Sequence, residues 1–296
     1  MTTSTEFVGA ISRPCVSICI PVFNGEEYIE EAVQSILSQT WQDYELIVVD
    51  NASTDKTLEK IQMFQDSRLK IIRNKSNIGP VANFNKCLEV ASGEFTKFLC
   101  ADDLLFPLCV ERQVMVLKDL ANQNVVLVNC ARQVIGADGK HWMVRRYGCV
   151  AERVPGRMAI RKTVRSGGNQ IGEPTAVMLR TEVARKVGGF EEGQSLCMDL
   201  DLWCRMLKSG DLYVIPDVLC AFRVSRGSWS VGIGWAQTEA YHSFIQRRLL
   251  DDKTILTRSD RWRAIVYGAL NGVGRMVFYQ LLSALRCLEK KYIRNP

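Results

Sequence analysis

The chain has 296 residues, 47% of them hydrophobic and 24% charged, and its formal net charge is +6. This is the composition of an ordinary globular protein, with enough residues for one large domain or two small ones. The sequence contains two histidines, His141 and His242, which are too few for a zinc hydrolase or a histidine-based catalytic triad.

Short apolar strands alternate with amphipathic helices along the first third of the chain. Runs rich in β-branched residues predict buried strands at 15–20, 44–49, 69–72 and 95–100, the first of them ended by Pro21. Apolar residues at helical spacing predict helices at 26–38 and 55–64, and a third helix is predicted at 80–90. This alternation with short connections predicts an α/β fold, in which helices cover both faces of a mostly parallel sheet.

A polar segment follows each of the four predicted strands, at 23–25, 50–53, 73–74 and 101–103. Parallel strands end at one edge of their sheet and ligands bind at that edge, so the four segments point to one shared ligand. Each segment also has a simpler explanation. Asp50 is suited to capping the next helix, and Asp102 with Asp103 to an exposed first turn of the helix after Pro107.

The adjacent carboxylates Asp102 and Asp103 repel each other unless a cation or a hydrogen-bond donor lies nearby. A divalent metal that carries a diphosphate meets this need, because Mg²⁺ and Mn²⁺ prefer oxygen ligands. We therefore expect a divalent metal, Mn or Mg, at this edge of the sheet.

The second half of the chain is basic. Residues 137–140 have the composition of a hairpin turn, and the stretch from there to Arg165 is rich in arginine. That stretch is suited to binding an anionic acceptor such as a lipid pyrophosphate, or equally to forming a solvated loop over the site.

Helices are predicted at 235–250 and 261–292, the second with an apolar stripe of Val266, Leu270, Val273, Val277 and Leu281. Arginines flank this amphipathic helix, and this combination favours peripheral contact with an anionic membrane. Glycines at 268, 272 and 274 suit it equally to close packing on the rest of the chain or on a second subunit of a homo-oligomer.

The eleven cysteines lack the spacing of metal knuckles, which indicates reduced, buried thiols. No run of the sequence reaches the roughly 18 apolar residues needed to cross a bilayer. We therefore expect a cytoplasmic protein whose C-terminal helices are its candidate contact with the inner face of the membrane.

Seven short motifs occur in the order found in one enzyme family. They are PVFNGEEYI at 21–29, VVDNASTD at 48–55, NIG at 77–79, FLCADD at 98–103, GEPTAV at 172–177, GGFEE at 188–192 and DLDLWCRM at 199–206. In this order, over roughly residues 14 to 230, the sequence resembles the family 2 glycosyltransferases, which are inverting sugar transferases with the GT-A fold. Each motif is weak alone, but their shared order is specific.

The resemblance implies transfer of a sugar from a nucleotide-diphosphate donor, with UDP and dTDP favoured, to a hydroxyl of a glycan or lipid-linked acceptor in surface polysaccharide assembly. It implies that Asp50 reads the base, Arg73 contacts phosphate and Asp103 binds the metal, with Asp102 at the ribose or at the metal's water. The implied donor-binding residues are Pro21, Phe23, Asn24, Asp50, Arg73 and Asp102.

Asp199 matches the general base of the family, which removes the proton of the acceptor hydroxyl. A helix N-cap is the alternative role, since Asp is a preferred cap, but the motif at 188–192 just upstream favours the base. The family often has acidic residues where this chain has Cys100 and Met198, and many relatives have a metal-binding histidine where this chain has Ser225. We therefore expect a metal site with few protein ligands. We also expect the base to have weaker electrostatic support from neighbouring acidic residues.

The predicted organisation is a catalytic domain over 1–230, comprising a nucleotide-sugar half at 14–135 and an acceptor half at 136–230, followed by a helical extension at 231–296. A catalytically lapsed subunit that binds nucleotide or scaffolds a synthase is the alternative outside enzymes. A sugar nucleotidyltransferase or a dehydrogenase requires a glycine-rich phosphate loop, and residues 21–24 do not form one. No nucleic-acid partner is indicated.

Overall fold

A computed structural model describes residues 13–193, 197–225, 236–248 and 255–293. The strands within these ranges are β1 Val16–Val22, β2 Tyr44–Asp50, β3 Leu69–Arg73, β4 Phe95–Phe98, β5 Leu104–Leu105, β6 Val125–Gly136, β7 His141–Arg145, β8 Glu152–Val154, β9 Val177–Arg180 and β10 Asp211–Val224. The helices are α1 Ile29–Leu37, α2 Thr57–Gln62, α3 Pro80–Val90, α4 Cys109–Lys118, α5 Gly156–Arg165, α6 Thr181–Lys186, α7 Met198–Met206, α8 Ala236–Arg248 and α9 Arg258–Ile293.

The described strands form one mixed sheet in the order β3-β2-β1-β4-β9-β6-β10-β5, with β7 paired to β6 and β8 to β10. Strands β1 to β4 run parallel to one another, which confirms the parallel half predicted from the alternating pattern. Strand β9 runs antiparallel between β4 and β6, and β6 is parallel to β10. The carboxyl ends of β1 to β4 therefore meet at one edge, as expected.

Helices cover both faces of the sheet because successive strand residues point to opposite sides. In β2, Ile47 and Val49 join one hydrophobic cluster with α3, α5, α7 and α8, whereas Leu46 and Val48 join a second cluster with α1 and α4. The prediction of a sheet covered on both faces is confirmed.

Two strand ends differ from the sequence predictions by two residues. Strand β1 continues through Pro21 to Val22, whereas Pro21 was expected to end it. Pairing of β1 with β4 stops at Cys19, so the missing N–H of Pro21 removes no hydrogen bond on that side. Strand β4 ends at Phe98, two residues before the predicted boundary.

The helix boundaries are close to those predicted. Helix α3 spans the predicted residues, whereas α1 begins at Ile29 rather than at residue 26. A turn precedes α1, in which the N–H groups of Tyr28 and Ile29 both donate to the Gly25 carbonyl. The predicted hairpin at 137–140 is confirmed by the antiparallel pairing of β6 with β7.

The C-terminal helices pack on the rest of the chain. Tyr241, Phe244 and Ile245 of α8 are buried in the same hydrophobic cluster as α5 and α7. Gly268 and Gly272 of α9 lie against α8, where a Cβ atom on Gly272 would lie 2.2 Å from Thr238 Oγ1. The packing alternative predicted from these glycines is confirmed for this face of α9. None of the helices in the described residues is both long enough and apolar enough to cross a membrane.

The ten cysteines that the structure describes are free, and all of them except Cys100 and Cys149 are buried. This confirms the expectation that most of the thiols in that part of the chain are buried.

Candidate active site

The loops after β1 and β2 are joined by hydrogen bonds at the carboxyl edge of the sheet. The Asn24 N–H donates to Ser53 Oγ at 2.9 Å, and Asn24 Oδ1 accepts from the Thr54 N–H at 2.9 Å. Asn24 has a positive φ of 51°, which asparagine tolerates better than most residues. Phe23 and Asn24 are exposed at this edge, whereas Pro21 is buried within β1.

Asp50 is the last residue of β2 and is fully buried. One carboxylate oxygen, Oδ1, accepts from the Ser53 N–H at 3.1 Å, and Arg73 Nε lies 3.2 Å from the other, Oδ2. Asp50 thus fixes the turn after β2, and α2 begins later, at Thr57, whose N–H donates to Asp55. Arg73 reaches Asp50 from β3, and half of its side chain is exposed to solvent.

A group of asparagines joins the loops after β2 and β3 to the start of α3. The side-chain amide of Asn51 donates to Asn77 Oδ1 at 2.9 Å and to the Gly79 carbonyl at 3.3 Å. Its oxygen accepts from the Asn74 amide at 2.9 Å and from the Ile78 N–H at 3.0 Å. The network therefore fixes the loop beside Asp50.

Asp102 and Asp103 occupy different environments despite being adjacent. Asp103 is fully buried, with Oδ2 accepting from Thr175 Oγ1 at 2.5 Å and Oδ1 accepting from the Arg223 N–H at 2.8 Å. Burial first, and then the charge of Asp102, raise the pKa of Asp103 well above its usual value. Asp102 is half-buried at the edge of the sheet.

Two residues that sequence reasoning did not single out support this pair. Thr175 donates to Asp103 and also accepts from the Cys100 N–H at 3.2 Å. The buried guanidinium of Arg223 donates to the Asp102 carbonyl at 2.8 Å and lies 4.4 Å from the centre of the Tyr28 ring. Thr175 lies in the motif at 172–177, whereas Arg223 lies outside the seven motifs, and the partners of both are distant in sequence.

Asp199 lies in the first turn of α7 rather than at its N-cap, which is Cys197. Its Oδ2 accepts from the Asn169 amide at 2.8 Å, and its Oδ1 accepts from the Leu200 N–H at 2.7 Å. Burial, aided by the nearby charge of Glu173, raises the pKa of Asp199 to about 6 against the lowering effect of these hydrogen bonds. Asp199 is therefore mostly ionised at neutral pH and more basic than an ordinary aspartate.

Glu173 and Asp201 are held in ion pairs. Glu173 pairs with the buried Arg132 and, at 3.1 Å, with Arg145. Burial favours protonation of Glu173, but the two arginines outweigh it and lower the pKa. Asp201 is fully buried and pairs with Arg205 at 2.8 Å. The pKa of Glu173 is thus lowered. Burial raises the pKa of Asp201, but this carboxylate is fully buried, whereas Asp199 is only half-buried.

The structure brings the two aspartate segments together around Cys100. Burial is the main reason why the pKa of Cys100 is well above its usual value, and the charges of Asp103, Asp102 and Asp199 raise it further. The candidate base and the adjacent carboxylates are thus electrostatic neighbours, although the base lies about a hundred residues further along the chain.

Within the described ranges there is no group of three or more His, Cys, Asp or Glu side chains arranged to bind a metal ion. Ser225, which stands where many relatives have a histidine, is buried at the end of β10. Residues 226–230, which follow Ser225, lie outside the part of the chain that the structure describes.

Comparison with known proteins identifies the family. The family model described as glycosyl transferase family 2 matches residues 17–188. The chain belongs to glycosyl transferase family 2. The matched segment includes Asp50, Asp102 and Asp103 but ends before Asp199, so the base assignment depends on the motif and on the geometry.

Curated relatives agree with this membership. An uncharacterised protein of Mycobacterium tuberculosis is 32% identical over 83% of this chain and 76% of its own length. An uncharacterised glycosyltransferase of Rickettsia typhi is 28% identical over 71% of this chain. That match spans 64% of the Rickettsia protein, so the relative has further sequence beyond it.

Solved structures show that the fold is of the GT-A type. S. aureus TarS 1-349 in complex with UDP-GlcNAc aligns with a TM-score of 0.65 at 19% identity, over 86% of this chain and 71% of that one. The Pyrobaculum calidifontis mannosyltransferase PcManGT, in complex with GDP-Man and Mn²⁺, aligns with a TM-score of 0.60 at 19% identity, over 94% of this chain and 81% of that one. The predicted α/β fold with a mostly parallel sheet and helical C-terminal region is confirmed.

Proposed function

We propose that this chain transfers a sugar, with inversion, from a UDP or dTDP sugar to a hydroxyl of a glycan or lipid-linked acceptor in surface polysaccharide assembly. The observation that carries the proposal is the environment of Asp199. A carboxylate with a pKa of about 6, held by two hydrogen bonds beside the Asp102–Asp103 edge, has the properties of a general base. A protein that only binds nucleotide has no need of it.

The proposed reaction is a single displacement at the anomeric carbon of the donor sugar. Asp199 takes the proton of the acceptor hydroxyl while that oxygen forms a bond to the anomeric carbon of the donor sugar. The bond from that carbon to the diphosphate oxygen breaks on the opposite face, and its electron pair leaves with the nucleoside diphosphate. Attack opposite the leaving group inverts the configuration of the anomeric carbon.

Asp50 and Arg73 are the proposed contacts for the nucleoside, with Pro21, Phe23 and Asn24 around them. The Asp50 carboxylate is suited to accepting from the imide N–H of uracil or thymine. Because Asp50 is fully buried beneath its ion pair with Arg73, binding of a base requires the half-exposed Arg73 side chain to move. The guanidinium of Arg73, once released from Asp50, would then be able to bind a phosphate.

The proposed metal site has few protein ligands, and Asp102 is better placed than Asp103 to bind the metal. Both oxygens of Asp103 accept hydrogen bonds from the chain, whereas Asp102 is half-buried at the edge where the diphosphate would lie. The donor diphosphate would provide the other ligands, since one or two carboxylates plus substrate phosphates are common for Mg²⁺. A bound Mn²⁺ or Mg²⁺ would neutralise charge on the departing diphosphate. The Mn²⁺ bound by PcManGT supports this use of a metal.

The first test is a screen of UDP, dTDP and GDP sugars for hydrolysis and for thermal stabilisation, each with Mn²⁺ or Mg²⁺. A ligand present at 100 times its dissociation constant should stabilise the protein by about 2.7 kcal/mol. The donor identified in this way is then used with the variant Asp199→Asn.

We expect Asp199→Asn to change donor affinity little and to lower turnover by about 100-fold to 10,000-fold. The matched control is Asp217→Asn, which alters a half-exposed aspartate that pairs with Arg112. A transfer rate for Asp199→Asn within a few fold of the parent would show that another residue is the base. Donor binding without turnover in the parent would favour the lapsed, nucleotide-binding subunit.

A further inference from the structure

A groove with a cationic lining lies between α5 and α9, on the side of the sheet that carries α7 and α8. Its volume is about 640 Å³, and its lining includes Met158, Arg161, Lys162, Arg165, Arg263 and Tyr267. Helix α5 provides the first four of these and α9 the last two. We call this groove, together with the exposed side of α9 beside it, the α5–α9 face.

The groove is positively charged after its ion pairs are counted. The buried Asp260 pairs with Arg161 at 2.8 Å and with Arg165 at 3.3 Å, so one carboxylate serves two arginines. Lys162 donates to the Tyr147 carbonyl, which is uncharged, at 3.0 Å. Arg263 is exposed on α9. Four cations and one carboxylate leave a surface that attracts anions.

A stripe of exposed apolar side chains lies on α9 next to this groove. Helical spacing places Trp262, Val273 and Val277 on one side of α9, with exposed fractions of 65%, 47% and 48%. Leu270 on the same side is 59% exposed. The buried residues Ala264, Gly268 and Gly272 lie on the opposite side, towards α8. At these positions, packing within the chain therefore uses the small residues of α9 and leaves Trp262, Leu270, Val273 and Val277 largely in solvent.

We propose that the α5–α9 face docks onto the surface of an anionic lipid bilayer. The apolar stripe would enter the boundary between headgroups and acyl chains, and the arginines beside it would meet lipid phosphates. A helix lying in the interface agrees with the finding that none of the described helices is suited to crossing a membrane. A second copy of the chain is a poorer occupant, because a two-fold contact would bring the arginines of two such grooves together.

Docking in this way would bring the candidate active site close to the membrane. Gln170 lines the groove, and its neighbour Asn169 donates the hydrogen bond that holds Asp199. The acceptor side of the site would thus be near a lipid-linked substrate. Vesicle binding itself requires no donor and no transfer, so its outcome is independent of the proposed function.

The test is co-sedimentation of the full chain with phosphatidylcholine vesicles that do or do not contain phosphatidylglycerol. We expect at least tenfold tighter binding to the anionic vesicles, declining as salt is added. Arg263→Glu should weaken that binding by at least about fivefold, and Val273→Asp by about tenfold. Melting temperatures near that of the parent verify that both variants are folded.

Two matched controls lie away from this face. Met115→Asp changes an apolar residue of α4 that is 60% exposed, and Lys186→Glu makes the same change of charge on an exposed position of α6. Both controls should bind vesicles as the parent does. Equal binding to neutral vesicles, unchanged binding of the two test variants, or a self-association that Val273→Asp abolishes would each overturn the proposal.

Discussion

Asp199 and Glu173 are neighbouring carboxylates whose pKa values move in opposite directions. Burial dominates at Asp199 and raises its pKa to about 6, whereas Arg132 and Arg145 overcome burial at Glu173 and lower its pKa. Pairs whose environments separate their pKa values are typical of acid–base sites. Glu173 then contributes as a fixed negative charge that keeps Asp199 basic.

The first prediction concerns the pH dependence of transfer. The base must be ionised, so kcat/KM should be constant above about pH 6 and fall about tenfold per pH unit below it. Asn169 stabilises the ionised Asp199 by donating to it, so Asn169→Ala should raise the pKa and move the acidic limb upward by about one pH unit.

The matched control for this experiment is Asn122→Ala, which removes a side-chain amide that donates to the Val116 carbonyl, away from the site. Its pH profile should coincide with that of the parent. A profile of Asn169→Ala with an unchanged acidic limb would show that Asn169 does not act on the base.

The second prediction separates the two adjacent aspartates. Asp102→Ala should abolish metal-dependent stabilisation by the donor and leave the melting temperature without ligand nearly unchanged, because it removes one charge from a like-charged pair. Asp103→Ala should destabilise the fold by about 1 to 3 kcal/mol, since the Arg223 N–H and the Thr175 hydroxyl lose their acceptor. Thermal unfolding with and without Mn²⁺ and donor measures both effects. Loss of metal dependence in a fully stable Asp103→Ala variant would show that Asp103 binds the metal, as predicted from the sequence.

At the scale of elements, the loops after β2 and β3 depend on Asn51. Its side chain makes four hydrogen bonds, to Asn74, Asn77, Ile78 and Gly79, and is itself buried. The side chain therefore connects the end of β2 to the segment between β3 and α3. Because Asp50 precedes it, the same network holds the edge at which the base would bind.

The third prediction is that Asn51→Ala lowers the free energy of unfolding by about 2 to 4 kcal/mol, as four such bonds are lost. Denaturant unfolding measures this quantity. Asn122→Ala again serves for comparison, because it loses one hydrogen bond and should cost about 1 kcal/mol. Equal losses for the two variants would show that the asparagine network contributes nothing beyond a single bond.

At the scale of the whole molecule, the C-terminal helices are part of the main core. The Tyr241 hydroxyl donates to the Val164 carbonyl at 2.7 Å, and Phe244 and Ile245 share a hydrophobic cluster with Trp203 of α7. The division into a catalytic domain and a helical extension stays a proposal about how the chain is organised. Its two parts are nevertheless packed together in the described residues.

The fourth prediction follows from this packing. A chain that ends at residue 234 should melt at a much lower temperature or fail to fold, because burial of the α8 side chains contributes about 5 kcal/mol or more. Phe244→Ala tests the same contact in the full chain and should cost about 3 to 5 kcal/mol. A stable chain of 234 residues would show that the tail is an independent unit.

The sequence by itself determined the alternation of strands and helices, the edge at which the polar segments meet, and the family. These features depend on local periodicity and short motifs, which can be read within a window of ten or twenty residues. Helix α3 illustrates this, since Pro80 and the apolar spacing after it define both of its ends. The roles assigned to Asp50, Asp103 and Asp199 from the sequence stay predictions.

Only the tertiary structure decided which partners each polar side chain has. The carboxylate oxygens of Asp103 accept hydrogen bonds from Thr175 and Arg223, which are 72 and 120 residues further along the chain. In the same way, Arg73 pairs with Asp50 across adjacent strands. Gly268 and Gly272 of α9 contact α8, while Trp262, Leu270 and Val273 stay exposed. The physical reason is that burial and pairing depend on contacts between distant segments, and those contacts set the charge, the pKa and the accessibility of a side chain.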